Sequence, residues 1–263
     1  MITFIKSFII GICAILPGVS GSVIAVSLGI YDRFIEVVTN KRKAVENKLF
    51  IIIVLIGVFC GVFLTGNLVI YIFKYETILY YILTGIILSE IPFIIKKIHI
   101  YNGNRVKKIP FILAFLFSLI LDLLNGSRIS TNYSFLRWFI GGILFAFGKI
   151  FPGVSSSFFL LNLGIYDDII VLIVNPLLIF KRFSFYIPFI IGTLIGLIIF
   201  LKLLSYFLKN NFESLYSIIL GFIVSSSIIL IPPISFKLEN ILGFLLMIAF
   251  FVIFIYIKKK KGN

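Results

Sequence analysis

Charged and metal-binding side chains are scarce in this 263-residue chain, in which Asp, Glu, Lys and Arg make up only 13% of the residues. Soluble domains contain about a quarter. Cysteine occurs twice, at Cys13 and Cys60, each in an apolar segment, and histidine occurs once, at His99. No second cysteine or histidine stands near either cysteine, which argues against a disulfide framework and a metal site. We expect no metal and no cofactor.

Apolar residues are abundant instead, at 61% of the chain, and the mean hydropathy is +1.20. The runs 49–73, 186–201 and 241–257 carry almost no charge, and runs of this kind are typical of transmembrane helices. The net charge of +14 lies mainly in short loops between apolar runs, as expected beside an anionic membrane surface. The composition therefore predicts a membrane protein that does not bind nucleic acid.

One motif occurs twice, 135 residues apart. The stretch Pro17-Gly18-Val19-Ser20-Gly21-Ser22 recurs as Pro152-Gly153-Val154-Ser155-Ser156-Ser157, and both copies continue to a Leu-Gly-Ile-Tyr-Asp sequence that ends at Asp32 or Asp167. Of the 16 aligned positions, 10 are identical. A GxxxG pattern, which lets helix backbones approach closely in lipid, also occurs at matched places, at Gly57 and Gly192. The chain therefore divides into two repeats, 1–127 and 128–263.

Each Pro-Gly pair interrupts an apolar stretch. The flanking limbs, 4–16 and 19–30 in the first repeat, would each extend about 18 Å as helix, roughly half of a membrane core. Proline and glycine are unfavourable inside a helix, so we predict a re-entrant hairpin in each repeat. The predicted fold is an all-α polytopic membrane protein with two inverted-topology repeats. Its hairpins cover 4–38 and 137–174, and its spans cover 49–73, 78–95, 109–124, 186–208, 214–231 and 240–257.

Loop charge predicts the orientation of this fold. If each hairpin enters and leaves on one face, each repeat adds three crossings, and the second repeat is inverted. The loops 39–48, 96–108 and 209–213 then share a face with both termini, and this face carries 15 of the 24 Lys and Arg residues. The positive-inside rule makes it cytoplasmic.

The hairpin tips are the candidate binding site. A new helix is expected after each Pro-Gly, capped by Ser20 or Ser155, and free N–H groups beside hydroxyls attract anions such as phosphate. Lys149 precedes the second tip within an apolar limb, where a charge is costly unless it is functional or reaches an interface. The candidate substrate-binding residues are Pro17, Gly18, Ser20, Gly21, Ser22, Lys149, Pro152, Gly153, Ser155, Ser156 and Ser157, together with Arg137 at the start of the second hairpin.

Several other charged residues are candidates for ion pairing or coupling. We expect Asp32 and Arg33 to pair locally, on an interfacial helix that also carries Glu36. Glu90 and Asp122 come late in predicted spans, where each is either a proton carrier or a solvated residue. Asp167 is expected to cap the exit of the second hairpin.

The segment from Gly11 to Asp32, with its Pro17-Gly18-Val19-Ser20-Gly21-Ser22 motif, resembles the first signature of the bacterial and archaeal polyprenyl-phosphate transporter family. The segment from Pro152 to Tyr166 resembles the second signature, and the resemblance extends over essentially the whole chain in length, repeat order and hydropathy. It implies a flippase of the cytoplasmic membrane that returns undecaprenyl phosphate from the outer to the inner leaflet for cell-envelope synthesis. The implied partners are this lipid and the membrane; the sequence specifies no oligomeric state.

Two other function classes remain open. Undecaprenyl-pyrophosphate phosphatases pair re-entrant hairpins and use a similar turn, but Gly21 stands where their turn has arginine, a charge that phosphoryl transfer needs. A channel, or a transporter of small anions or ions, would also use two opposed hairpins.

The inverted topology can be tested by labelling single cysteines placed in loops 39–48 and 176–185. We expect labelling from opposite faces of the membrane, measured with an impermeant thiol reagent in oriented vesicles. Labelling of both loops from the same face would contradict the inverted repeat.

Overall fold

The computed structural model describes residues 1–15, 20–65, 76–101, 105–123, 133–175, 177–233, 235 and 237–261, and within these ranges all regular structure is helical. In chain order the helices are α1 (Ile2–Ile15), α2 (Gly21–Ser27), α3 (Tyr31–Thr39), α4 (Lys41–Glu46), α5 (Lys48–Thr65), α6 (Glu76–Leu88), α7 (Ile91–Ile100), α8 (Lys108–Leu123), α9 (Phe135–Ile150), α10 (Ser156–Asn162), α11 (Tyr166–Val174), α12 (Leu178–Lys181), α13 (Phe183–Asn210), α14 (Phe212–Leu230) and α15 (Leu238–Lys261).

In the described part of the chain, four helical stretches are long and apolar enough to cross a membrane. They are Thr77–Ile100, which combines α6 and α7, Phe183–Asn210, Phe212–Leu230 and Leu238–Lys260. Large apolar side chains are exposed along these stretches, such as Leu194 at 56% and Leu245 at 58%. Exposure of this kind is what a lipid-facing surface requires, and the chain is a membrane protein.

The helices that flank each Pro-Gly motif contact each other. In the first, Lys6 near the start of α1 contacts the carbonyl of Leu28 after α2, while Gly21 at the start of α2 lies against Ala14 near the end of α1. In the second, Gly148 near the end of α9 packs against Ser156 at the start of α10. The paired helices of each region therefore lie side by side and antiparallel.

The repeated Leu-Gly-Ile-Tyr-Asp sequence is a helix stop. Gly29 and Gly164 have positive φ angles of 69° and 64°. The N–H of Ile30 bonds the carbonyl of Ala25 and that of Gly29 bonds Val26, and the second copy repeats the pattern at equivalent positions. This is the Schellman arrangement, which satisfies the last carbonyls of a helix and favours glycine at the left-handed residue. It ends α2 and α10 after 7 residues each, so both second limbs are shorter than predicted.

The helices pack in reciprocal pairs. Within each half the first hairpin helix packs along the following long helix, α1 on α5 and α9 on α13. Between the halves, α6 packs on α15 while α14 packs on α8, and α3 packs on α13 while α11 packs on α5. These six contacts thus form three matched pairs between the halves.

Glycines set the distance of closest approach at these contacts. A Cβ atom on Gly57 would lie 3.0 Å from the carbonyl oxygen of Phe4, and one on Gly192 would lie 2.0 Å from that of Phe139. The same pairing joins the halves: a Cβ on Gly85 would meet the Met247 carbonyl oxygen at 2.3 Å. Its counterpart, on Gly221, would meet the Phe111 carbonyl oxygen at 2.4 Å. The matched glycines are therefore backbone contact points.

Some boundaries differ from the sequence-based ones. The helix predicted for 78–95 breaks at Ser89 and Glu90 and then continues to Ile100, so Lys96 and Lys97 are helical rather than part of a loop. The break has a local reason, because Pro92 stands at the beginning of α7. The end of the span 49–73 and the boundary between repeats at 127 and 128 lie outside the described residues.

Substituting Gly192 with alanine should destabilise the protein by about 1–3 kcal/mol, because the added methyl group forces two backbones apart. Thermal unfolding in detergent measures the loss as a lower Tm. The control is Leu194→Ala on the same helix, which removes an exposed side chain and should change the Tm little. Equal effects of the two substitutions would contradict the close approach.

Candidate functional site

The two hairpins meet at the second tip. The hydroxyl of Ser22 on α2 donates to the carbonyl of Phe151 at 3.2 Å, and the hydroxyl of Tyr31 on α3 donates to the carbonyl of Ile150 at 2.9 Å. From the other side, Nζ of Lys149 donates to the carbonyl of Ala14 at 3.3 Å. The carbonyls at the end of α9 have no partner within their own helix, so side chains from the other half satisfy them.

Serine hydroxyls are paired in both copies of the motif. Oγ of Ser20 lies 2.7 Å from Oγ of Ser22, and Oγ of Ser155 lies 2.6 Å from Oγ of Ser157. Ser20 and Ser155 occupy the N-cap positions of α2 and α10, as predicted, but their side chains make no capping hydrogen bond. The predicted cap bonds are therefore wrong, because each hydroxyl bonds the serine two residues on.

Lys149 lies in the last turn of α9 between the hairpins. Its Nζ is 5.0 Å from the centre of the Phe145 ring, and none of the ion pairs among the described residues involves it. It lines a cavity of about 310 Å³ with Ser156, Ser157 and Tyr166. A cation, hydroxyls and an aromatic ring thus surround one small space next to the tip.

The second tip is packed inside the protein. Pro152 and Gly153 are buried, and Gly153 has a φ of +87°. A Cβ atom there would lie 2.6 Å from the backbone of Phe222 on α14, so both conformation and space require glycine. Non-helical backbone at such a depth is tolerated when protein or a polar cavity covers it.

A cavity of about 470 Å³, which we call the tip cavity, adjoins the same turn. Gly153 and Ser155 line it with Asp122 of α8 and Ser226 of α14. Of the predicted coupling residues, Asp122 is therefore the one that the structure brings to the tip serines.

Five charged residues line a second cavity, of about 600 Å³, which we call the lysine-rich cavity. It lies where α2 ends and α3 begins, and α7, α14 and α15 close it. Its charged and hydroxyl-bearing lining residues are Lys6, Ser27, Tyr31, Asp32, Glu90, Lys97, Tyr216 and Lys258.

Asp32 and Arg33 do not pair with each other, contrary to the prediction. Asp32 forms an ion pair with Lys97 at 2.6 Å and accepts a hydrogen bond from the Tyr216 hydroxyl, also at 2.6 Å. Arg33 donates to the side chain of Asn47 at 3.4 Å and lies over the Phe50 ring. Adjacent helical residues point in different directions, so each charge finds a partner on another element.

Glu36 and Asp167 lie away from the tips. Glu36 pairs with Lys43 of α4. Asp167 is exposed in the first turn of α11, where a negative charge suits the helix dipole, and the cap position is taken by Ile165.

Glu90 is not a solvated residue. Its side chain is 1% exposed, at the break between α6 and α7, and it pairs with Lys258 of α15. Among the described residues, no group donates a hydrogen bond to its other oxygen, Oε1. A buried carboxylate at a helix break is costly unless it is paired, which explains why Lys258 lies against it.

Of the remaining predicted site residues, Arg137 is placed away from the serines. Arg137 lies in the first turn of α9, about 20 Å from the tip at the rise of a helix. Gly21 is buried against Ala14. Pro17 and Gly18 lie outside the described residues.

Sequence reasoning missed Lys6, Lys97, Lys258 and Tyr216 as residues of one cavity. The only local signal was the presence of lysines at the ends of apolar runs, which is also what membrane topology alone produces. Among the described residues, no three His, Cys, Asp or Glu side chains are grouped as a metal site.

The two cavities occupy equivalent places in the two halves. Tyr80, Ser226 and Asp122 line the tip cavity, and Tyr216, Glu90 and Lys258 line the lysine-rich cavity. Tyr80 and Tyr216 are 136 residues apart, as are Glu90 and Ser226, and Asp122 and Lys258. One backbone arrangement thus surrounds two cavities of different charge.

Comparison with known proteins places these features in a family. Residues 10–241 match the model of a family described as undecaprenyl phosphate translocase-like. A polyprenyl-phosphate transporter of Staphylococcus aureus is 27% identical over 97% of this chain and 93% of its own length. A polyprenyl-phosphate transporter of Vibrio cholerae is 23% identical over 79% of this chain and 70% of its own length. No solved structure matches the chain.

The contact between hairpins predicts a stability loss when Tyr31 is replaced by phenylalanine. The Ile150 carbonyl would lose its donor in a buried setting, which should cost about 1 kcal/mol and lower the Tm. Tyr206→Phe is the control, because that side chain is 58% exposed. A Tm equal to that of the control would show that the hydrogen bond contributes nothing.

Proposed function

Because the chain belongs to the undecaprenyl phosphate translocase-like family, we propose that it is a flippase that moves undecaprenyl phosphate across the cytoplasmic membrane. The proposed direction is from the outer to the inner leaflet, which returns the carrier lipid to cell-envelope synthesis. The names of the two relatives, both polyprenyl-phosphate transporters, support the substrate class.

The observation that carries the proposal is the meeting of the hairpins around hydroxyls and one cation. Ser22 and Tyr31 contact the second tip, and Lys149 reaches back to Ala14 without a carboxylate partner among the described residues. A phosphate monoester carries about −1.5 to −2 charges and strong acceptor oxygens. Hydroxyl donors and an ammonium group bind such a headgroup through charge-assisted hydrogen bonds.

The proposed topology is an inverted repeat with two re-entrant hairpins and both termini in the cytoplasm. Three matched pairs of helix contacts support it, since each contact of one half recurs between the equivalent helices of the other. The concentration of lysine and arginine in the loops of one face supports the orientation. Inverted repeats with interrupted helices at the midplane are a recurring design of transporters.

In the proposed mechanism the polyprenyl tail stays in lipid while the phosphate passes between the hairpins. Rocking of one half against the other exposes the headgroup path to one leaflet at a time. The bonds from Ser22 and Tyr31 to α9 lie at this boundary, so they would break and reform as the halves move.

The proposal is tested by reconstituting the protein in liposomes that contain undecaprenyl phosphate and measuring how much of the lipid is accessible in each leaflet. We expect Ser20→Leu and Ser155→Leu to abolish movement, because a bulky apolar side chain fills the headgroup path and removes a hydroxyl. Ser184→Leu, at an exposed serine of α13, is the matched control and should transport normally. Normal transport by both tip variants would contradict the proposal.

The role of Lys149 is tested in the same assay. Lys149→Met should slow movement about tenfold or more, the loss expected for one charge-assisted hydrogen bond. Lys202→Met on α13 removes an exposed lysine as a control. Undecaprenyl pyrophosphate is included as a second substrate, and release of inorganic phosphate from it would indicate an enzyme instead of a carrier.

A further inference from the structure

Three lysine ammonium groups line one cavity away from the hairpin tips. Lys6 of α1, Lys97 of α7 and Lys258 of α15 come from helices far apart in the chain and meet in the lysine-rich cavity. With the two carboxylates Asp32 and Glu90, the described charges of this lining sum to +1. Positive charge gathered in one concave space of a membrane protein is costly unless an anion uses it.

Each lysine contacts an acceptor of the protein itself. Lys6 donates to the carbonyl of Leu28, Lys97 pairs with Asp32, and Lys258 pairs with Glu90. The Lys97 and Asp32 side chains are 36% and 62% exposed, and an ion pair that exposed contributes little free energy. Lys258 makes its one ion pair with Glu90, among the described residues, although an ammonium group has three N–H donors. Lys97 and Lys258 therefore retain capacity for another anion.

The equivalent cavity lacks these charges. Among the described residues that line the tip cavity there is no lysine or arginine, and its one charged side chain is the carboxylate of Asp122. Asp122 occupies the position that Lys258 has in the other half. The described lining of the tip cavity therefore has a charge of −1 and that of the lysine-rich cavity a charge of +1, although the backbone around the two cavities is repeated.

We propose that the lysine-rich cavity is a second binding site for a phosphate monoester, separate from the tip serines, in which Lys97 and Lys258 hold the phosphate oxygens in competition with Asp32 and Glu90. This inference rests on the proposed function, because the phosphate it would take is the lipid headgroup arriving from the tips.

Geometry and charge both fit this ligand. A volume of about 600 Å³ accommodates a headgroup and its hydration, and it falls in the usual range of ligand sites. Tyr216 adds a hydroxyl to the same wall, 2.7 Å from Nζ of Lys97. The +1 charge of the lining offsets a large part of the phosphate charge of about −1.5 to −2.

The site also lies toward one end of the proposed path. The three lysines lie on the face that the loop charges mark as cytoplasmic, whereas the tip cavity adjoins the Pro-Gly turn of the second repeat. A headgroup that passes from the −1 cavity to the +1 cavity moves toward stronger attraction. In this path the phosphate binds in the lysine-rich cavity before it enters the inner leaflet.

The test measures the affinity of the purified full-length protein for undecaprenyl phosphate through thermal stabilisation, which rises with ligand concentration over Kd. Glu90→Gln removes the competing charge beside Lys258 and should tighten binding severalfold. The double variant Glu90→Gln, Lys258→Gln leaves no unpaired buried charge, so it should fold, and it should bind at least tenfold more weakly than Glu90→Gln alone.

Lys260→Gln is the matched control, because it removes an exposed lysine two residues further along the same helix and should leave the affinity unchanged. Undecaprenol, which has the tail without the phosphate, should stabilise every variant equally. Inorganic phosphate should reproduce the order of the variants at higher concentration. If the affinities for inorganic phosphate follow this order but the affinities for undecaprenyl phosphate do not, the site binds free phosphate and not the lipid headgroup.

The inference is overturned if the double variant binds undecaprenyl phosphate as tightly as Glu90→Gln does. Leaflet movement by the wild-type protein separates this result from failure of the proposed function. When the wild type moves the lipid and the variants bind it with equal affinity, only the proposal of a second site is contradicted. When the wild type neither binds nor moves the lipid, the proposed function is contradicted as well.

Discussion

The structure depends on one constraint, which is that interrupted helices in an apolar environment must find partners for their end carbonyls. At the end of α9 these carbonyls belong to Ile150 and Phe151, and they accept hydrogen bonds from Tyr31 and Ser22 of the other half. Lipid supplies no donors, so the bonds must come from protein. The break in one repeat is thereby the attachment point for the other, and neither hairpin is complete alone.

The repeat made much of this fold predictable from the sequence. The Leu-Gly-Ile-Tyr-Asp helix stop and the paired GxxxG patterns act over a few residues, and each has the same backbone role in both repeats, although the helix stops end the second limbs earlier than predicted. Their physical meaning is local, since a left-handed glycine or a missing side chain has the same effect in any context. The first tip, Pro17 and Gly18, lies outside the described residues.

The partners of the charged residues were not predictable in the same way. Asp32 pairs with Lys97 rather than with its neighbour Arg33, and Glu90 pairs with Lys258, 168 residues away. In sequence each of these residues appears as a charge at the end of an apolar run, which fits either solvent or a buried partner. The choice depends on which helices meet, and helix pairing across the two halves leaves no mark within a single segment.

The two halves have the same backbone plan but different chemistry. Asp122 in the tip cavity is equivalent to Lys258 in the lysine-rich cavity, and Ser226 is equivalent to Glu90. Equivalent helices of the two halves line the two cavities. Packing requires the glycines and the helix stops in both halves, so these are repeated. The charged positions are not repeated, and in the lysine-rich cavity they form ion pairs between helices.

The hydroxyls of Ser20 and Ser22 have one hydrogen each to donate. The Ser22 hydroxyl has one hydrogen, and it goes to the Phe151 carbonyl; the bond between Ser20 and Ser22 must therefore use the hydrogen of Ser20. Both hydrogens are thus committed, and the pair offers only lone pairs to its surroundings. An anion obtains a donor from Ser20 when that hydroxyl turns away from Ser22, or from Ser22 when the anion takes the place of the Phe151 carbonyl. Binding of an anion to the Ser22 hydroxyl would therefore replace a hydrogen bond that joins the two halves.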